Sequence, residues 1–155
     1  MPLTDIIQQD AIIPALRVSN KKQLLEVISE KASKVSGLPA RTIFDLLLQR
    51  ERLGSTGLGN AIAIPHCKVE GLDRLIGIFA RLEKPIDFEA VDGEPVDLVF
   101  VILAPEGAGA DHLKGLSKVA RILRDNQIAA KLRKFTDADA IFALLTSPTA
   151  KPKAA

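Results

Sequence analysis

The stretch "VDLVFVILA", residues 96–104, decides the fold. It lies between Pro95 and Pro105 and is apolar nearly throughout, the pattern of a strand covered on both faces. Two further runs, 61–64 and 75–82, read as strands beside it, with a short "IDF" at 86–88 as an added edge. A short strand is also expected around 12–18.

Helices lie on both sides of this group in the chain. Asn20 in "SN" offers a cap, and Leu24, Ile28, Ala32 and Val35 then recur at helical spacing until Gly37. Pro39 suits the first position of a second helix carrying Ile43, Phe44, Leu47 and Leu48 and ending near Gly54. After the central strand, "EGAGAD" is a loop feeding a third helix over 111–124, with Leu116, Val119, Ile122 and Leu123 inward. Two shorter helices follow at 127–134 and 137–145. This order predicts an α/β/α sandwich, with a central mixed sheet of parallel and antiparallel strands flanked by helices.

At 155 residues the chain is read as one domain, large enough to bury a core. A formal net charge of +2 with scattered basic residues, no Trp or Tyr and six Phe gives no footprint for nucleic acid. The N-terminus lacks the basic-then-apolar order of a signal peptide, and no apolar run is long enough to span a bilayer. One cysteine, Cys67, cannot form an internal disulfide, which suits a cytoplasmic protein. The tail "SPTAKPKAA", rich in Pro, Ala and Lys, is expected to be disordered.

The chemistry is expected at "GSTGLGNAIAIPHCK", residues 54–68. His66 follows a strand and a proline, so it is placed at a strand's carboxyl end, where pockets of open α/β sheets gather. A neutral imidazole is a competent nucleophile toward phosphorus, provided its other nitrogen is protonated and aimed at an acceptor. A phosphoryl group then needs fixed donors. The glycine loop offers them: amides at Gly54, Gly57 and Gly59, and side chains at Ser55, Thr56 and Asn60. The spacing G-x-x-G-x-G is not that of a dinucleotide or P-loop motif, and a glycine cluster alone is also an ordinary turn.

His112, the only other histidine, opens the third helix, where the helix N-terminus disfavours an imidazolium and attracts an anion. Both histidines are placed at junctions able to face one cleft. At about 100° per residue Arg50 falls in the stripe of Ile43, Phe44 and Leu47 while Arg52 falls outside it, so Arg50 is the candidate cation. Cys67 points away from its neighbour along a strand and is read as packing. Two histidines and one cysteine with no close ligand pair make poor metal spacing, and no metal or cofactor is expected.

"LLLQRERLGSTGLGNAIAIPHCK", "PIDFEAVDGEPVDLVFVILAP" and "DHLKGLSKVARIL" together resemble enzyme IIA of the bacterial phosphotransferase system, the fructose/mannitol (type-2) group and most closely its nitrogen-regulatory type. The resemblance places such a domain over residues 1–146, leaving 147–155 as tail. It implies a tele-phosphohistidine at His66, although the residues themselves leave the ring nitrogen open, with Arg50 and His112 lining the same site. It further implies a small HPr-like phosphocarrier as donor. The phosphoryl group then either sets which regulatory targets the protein binds or passes to a IIB domain for sugar uptake. Family members commonly carry Gly where this chain has Cys67. A plain anion-binding module without phosphorylation is the reading from another class.

Overall fold

The computed structural model describes residues 2–147. Among these residues a six-stranded mixed sheet is flanked by five α-helices. The long strands are β1 (Ile7–Leu16), β5 (Ile76–Ile86) and β6 (Val96–Pro105); the short ones are β2 (Gly57–Gly59), β3 (Ile62–Ala63) and β4 (His66–Val69). The helices are α1 (Lys21–Ser36), α2 (Ala40–Arg52), α3 (Gly109–Arg124), α4 (Asn126–Lys134) and α5 (Ala138–Thr146).

β6 is the spine, as its unbroken apolar run requires: Val96 and every residue from Leu98 to Ala104 are buried. β5 pairs antiparallel along one side of it. On the other side β3 pairs parallel at Leu98 and Val99, and β4 resumes the same line at Ile102 to Pro105. Ile64 and Pro65 separate the two short strands. Proline has no N–H to give the ladder, so pairing breaks there, although its carbonyl still accepts from the Ile102 amide at 3.0 Å. His66 is therefore the first residue of β4, opposite Ile102, and not the last of the preceding strand.

Local signals explain the helix boundaries. Asn20 Oδ1 accepts from the Gln23 amide at 2.9 Å, and α1 ends on Gly37 at φ 80°, a left-handed conformation that favours glycine. Pro39 is the cap of α2 and not its first residue. Asp125 and Asp137 cap α4 and α5. The helices pair as α1 with α2 and α3 with α4, and α5 lies against β1.

Further expectations are corrected. β1 starts at Ile7, well before residue 12, because an edge strand paired only to β5 tolerates the exposed run Gln8–Gln9–Asp10, which hides its period. "IDF" is not an added edge: Ile86 ends β5, paired with Val96, and Asp87 and Phe88 leave the sheet. The glycine stretch is not only a loop, since β2 and β3 form an antiparallel hairpin. Its two-residue turn, Asn60 (φ 56°) and Ala61 (φ 68°), has the doubly positive φ that matches strand twist. Residues 148–155 of the expected disordered tail lie outside the described residues. Among the described residues no helix is long and apolar enough to cross a membrane.

Candidate phosphoryl site

His66 sits half-buried at the start of β4, and its Nδ1 lies 2.8 Å from the carbonyl oxygen of Ile64. A carbonyl only accepts, so Nδ1 carries the hydrogen and donates it. Nε2 then holds the free lone pair. Burial is the main reason the ring's pKa falls below its ordinary 6.5. The positive charge of Arg50 pushes the same way, against the opposing effects of the Ile64 hydrogen bond and the Glu51 charge.

His112 reaches the same place from the first turn of α3. Its ring stands edge to face with that of His66, centroids 5.4 Å apart and planes at 79°. It is buried, and its Nε2 has no hydrogen-bond partner. Its pKa is also lowered, first by burial and then by His66 and Lys68. Gly115, one turn further on, lets α3 approach this closely, since a Cβ there would stand 3.1 Å from Leu75 Cδ1.

Arg50 is half-buried near the end of α2, where Nη1 donates to the Gly54 carbonyl at 3.0 Å. Arg52 is exposed, in line with the angular reading. His66 and His112 are thus brought together, and Arg50 is near enough for its charge to act on the His66 ring.

The loop donors fare differently. Thr56 gives both its amide (3.2 Å) and its hydroxyl to Glu51. The Gly57 amide donates to Ser55 Oγ at 3.1 Å. The Asn60 backbone amide donates to Asp92 Oδ2 at 3.1 Å, and a Cβ on Gly59 would meet the same carboxylate oxygen. Of the side chains offered by the sequence, Thr56 is committed to Glu51, while the Ser55 hydroxyl hydrogen and the Asn60 side-chain amide are not engaged by another residue. The backbone amides of Gly54, Thr56, Gly57 and Asn60 are each bonded within the protein, to the Glu51 carbonyl, the Glu51 carboxylate, Ser55 Oγ and Asp92, so they do not converge on one anion. Gly57 has another role: its missing Cβ admits Ala90, whose own Cβ would be 2.8 Å away.

Cys67 is buried on the opposite side of the strand, and burial pushes its thiol up to about 12. It is not a thiolate at neutral pH and packs in the core. Among the described residues no group of three or more His, Cys, Asp or Glu is placed to hold a metal ion.

Sequence reasoning missed Glu51, which is buried and bonded to Lys21 at 2.9 Å. The signal was present: Glu51 continues the inward series Ile43, Leu47 at i+4, and a buried acid needs a partner.

A family model for the EIIA 2 component of the phosphoenolpyruvate-dependent sugar phosphotransferase system matches residues 5–147. The chain is 55% identical over 150 residues to a nitrogen regulatory protein of Bradyrhizobium diazoefficiens, covering 97% of this chain and 98% of that one. It is 39% identical over 153 residues to the nitrogen regulatory protein of Escherichia coli, covering 98% and 94%. The crystal structure of nitrogen regulatory protein IIA-Ntr from Neisseria meningitidis superposes with a TM-score of 0.88 at 37% identity, over 93% of this chain and 99% of that one. The chain therefore belongs to the EIIA type-2 family of the phosphotransferase system, in its nitrogen-regulatory branch, as a component of a phosphoryl relay.

Proposed function

We propose that His66 Nε2 accepts a phosphoryl group from a small HPr-like carrier protein, and that the charge so gained sets which cytoplasmic target proteins the chain binds. One observation carries the reading: the Nδ1 hydrogen bond to Ile64 leaves Nε2 unprotonated beside a second histidine with an unpartnered buried nitrogen. An orphaned buried polar atom costs about 1–3 kcal/mol, and a phosphoryl oxygen would satisfy it.

The Nε2 lone pair attacks the phosphorus of the carrier's phosphohistidine in line. The N–P bond to the carrier breaks, and its electron pair returns to the carrier's imidazole. The positive charge left on the His66 ring is shared with the Ile64 carbonyl through Nδ1–H. Arg50, His112 and the Ser55 hydroxyl face the incoming oxygens, whose charge they stabilise. Leu53 and Leu113, 85% and 67% exposed, adjoin Gly54 and His112, an apolar rim that suits a protein donor. A doubly charged group appearing inside that rim repels some partners and recruits others. Passage to a sugar-uptake IIB domain has less support, because the similar full-length relatives are nitrogen regulatory proteins.

Incubation with phosphoenolpyruvate, the relay's first enzyme and the carrier tests this. Wild-type protein takes up an acid-labile phosphate and the His66→Ala variant, still folded, takes up none. Labelling that survives the substitution, or a wild type that stays unlabelled, rejects the proposal.

A further inference from the structure

Glu51 lies at the end of α2, with both carboxylate oxygens engaged. Oε1 accepts from Lys21 Nζ at 2.9 Å and from the Thr56 amide at 3.2 Å, and Oε2 accepts the Thr56 hydroxyl. Lys21 opens α1 and also sits 4.3 Å above the Phe88 ring. One buried carboxylate thus joins the start of α1, the end of α2 and the entry of the glycine hairpin. The connection continues inward. The Thr56 carbonyl accepts from the Ile64 amide at 3.1 Å, and the Ile64 carbonyl accepts from His66 Nδ1 at 2.8 Å.

We propose that Glu51 is a positioning residue for phosphoryl transfer: through Thr56 and the Ile64 backbone it fixes the carbonyl that orients and selects the tautomer of the His66 ring. The inference rests on His66 as the acceptor. Its physical ground is that Ile64 lies between β3 and β4, where Pro65 removes ladder hydrogen bonds. The Thr56–Ile64 bond holds Ile64 in that gap, as the Ile102 amide holds Pro65, and Thr56 is itself held through its amide and hydroxyl to Glu51 and its carbonyl to Ile64. Two rigid helix ends therefore decide where the Ile64 oxygen stands, and a reacting group needs such second-layer support to hold its geometry. The negative charge of Glu51 also acts on His66 directly, in the direction that favours protonation.

A buried ion pair serving stability alone would make the same bonds, so the test needs readouts that stability does not move. In the full chain, Glu51→Gln, Thr56→Val and Thr56→Ser are compared by phosphoryl uptake from phosphorylated carrier at rising carrier concentration. The His66 ring nitrogens are followed by NMR in the unphosphorylated protein. Glu51→Gln and Thr56→Val are expected to lower the rate at saturating carrier by about 10- to 100-fold, the scale of a small misplacement of a reacting group. The carrier concentration for half-maximal rate stays unchanged. The ring passes from one Nδ1–H tautomer to exchange between two, and Thr56→Ser restores both readouts. A folded Glu51→Gln protein with wild-type rate and a single Nδ1–H tautomer overturns the inference. If that variant does not fold, Thr56→Val decides by the same two readouts. A wild type that takes no label rejects the acceptor reading instead, and the ring spectra still decide the positioning one.

Discussion

The rings of His66 and His112 meet edge to face at 5.4 Å, one on the strand that resumes after Pro65 and the other on the first turn of α3. Neither side chain is bonded to the other, and the buried His112 Nε2 has no hydrogen-bond partner.

Replacing His112 by Ala is expected to slow uptake from the phosphorylated carrier by about 100-fold, the usual cost of one stabilising donor. Labelling of His66 persists at long times. Stopped-flow transfer kinetics check this, and an unchanged rate removes His112 from the site.

Both histidines have pKa values below 6.5, burial being the first cause in each. NMR titration should give midpoints below that value, and Arg50→Gln should raise that of His66 by removing a nearby positive charge. The consequence for stability follows in sign. The unfolded chain binds more protons than the folded one in the window from 6.5 down to the folded midpoints, so these groups favour folding above 6.5. Their contribution is lost as pH falls through that window, and the thermal midpoint should decline with it.

A Cβ added at Gly115 of α3 would stand 3.1 Å from Leu75 Cδ1 and 3.5 Å from Ile6 Cδ1. Gly115→Val is expected to cost about 1–3 kcal/mol by overpacking and to move His112 away from His66. Denaturant unfolding measures the first and transfer rate the second.

Ala61 holds φ at 68° in the hairpin turn, a conformation that costs a residue with a Cβ about 1 kcal/mol. Ala61→Gly is therefore expected to raise the thermal midpoint by about 3 °C, the shift such an energy produces in a chain of this size. A lowered midpoint contradicts the assignment of strain to this turn.

Much of this arrangement was legible in the sequence because it rests on strong local signals. β6 announces itself by an unbroken apolar run between prolines, and α1 by Asn20 at one end and Gly37 at the other. The Arg50/Arg52 distinction follows from helical angle alone. β2 and β4 were illegible for opposite reasons. β2 is glycine on either side of Leu58, with no side-chain preference for a strand, and β4 is four residues whose pairing depends on β6, distant in the chain. The loop donors were misjudged because sequence shows which groups exist and not which are already bonded. The Thr56 side chain is committed to Glu51, and the Asn60 backbone amide to Asp92, 32 positions away.

The central claim is most directly tested by nitrogen-15 NMR of the histidine rings after phosphorylation by the carrier. The account predicts one phosphohistidine, at His66, with phosphorus bonded to Nε2 and Nδ1 still protonated toward Ile64. Phosphorus on Nδ1, or on His112 in place of His66, would contradict it.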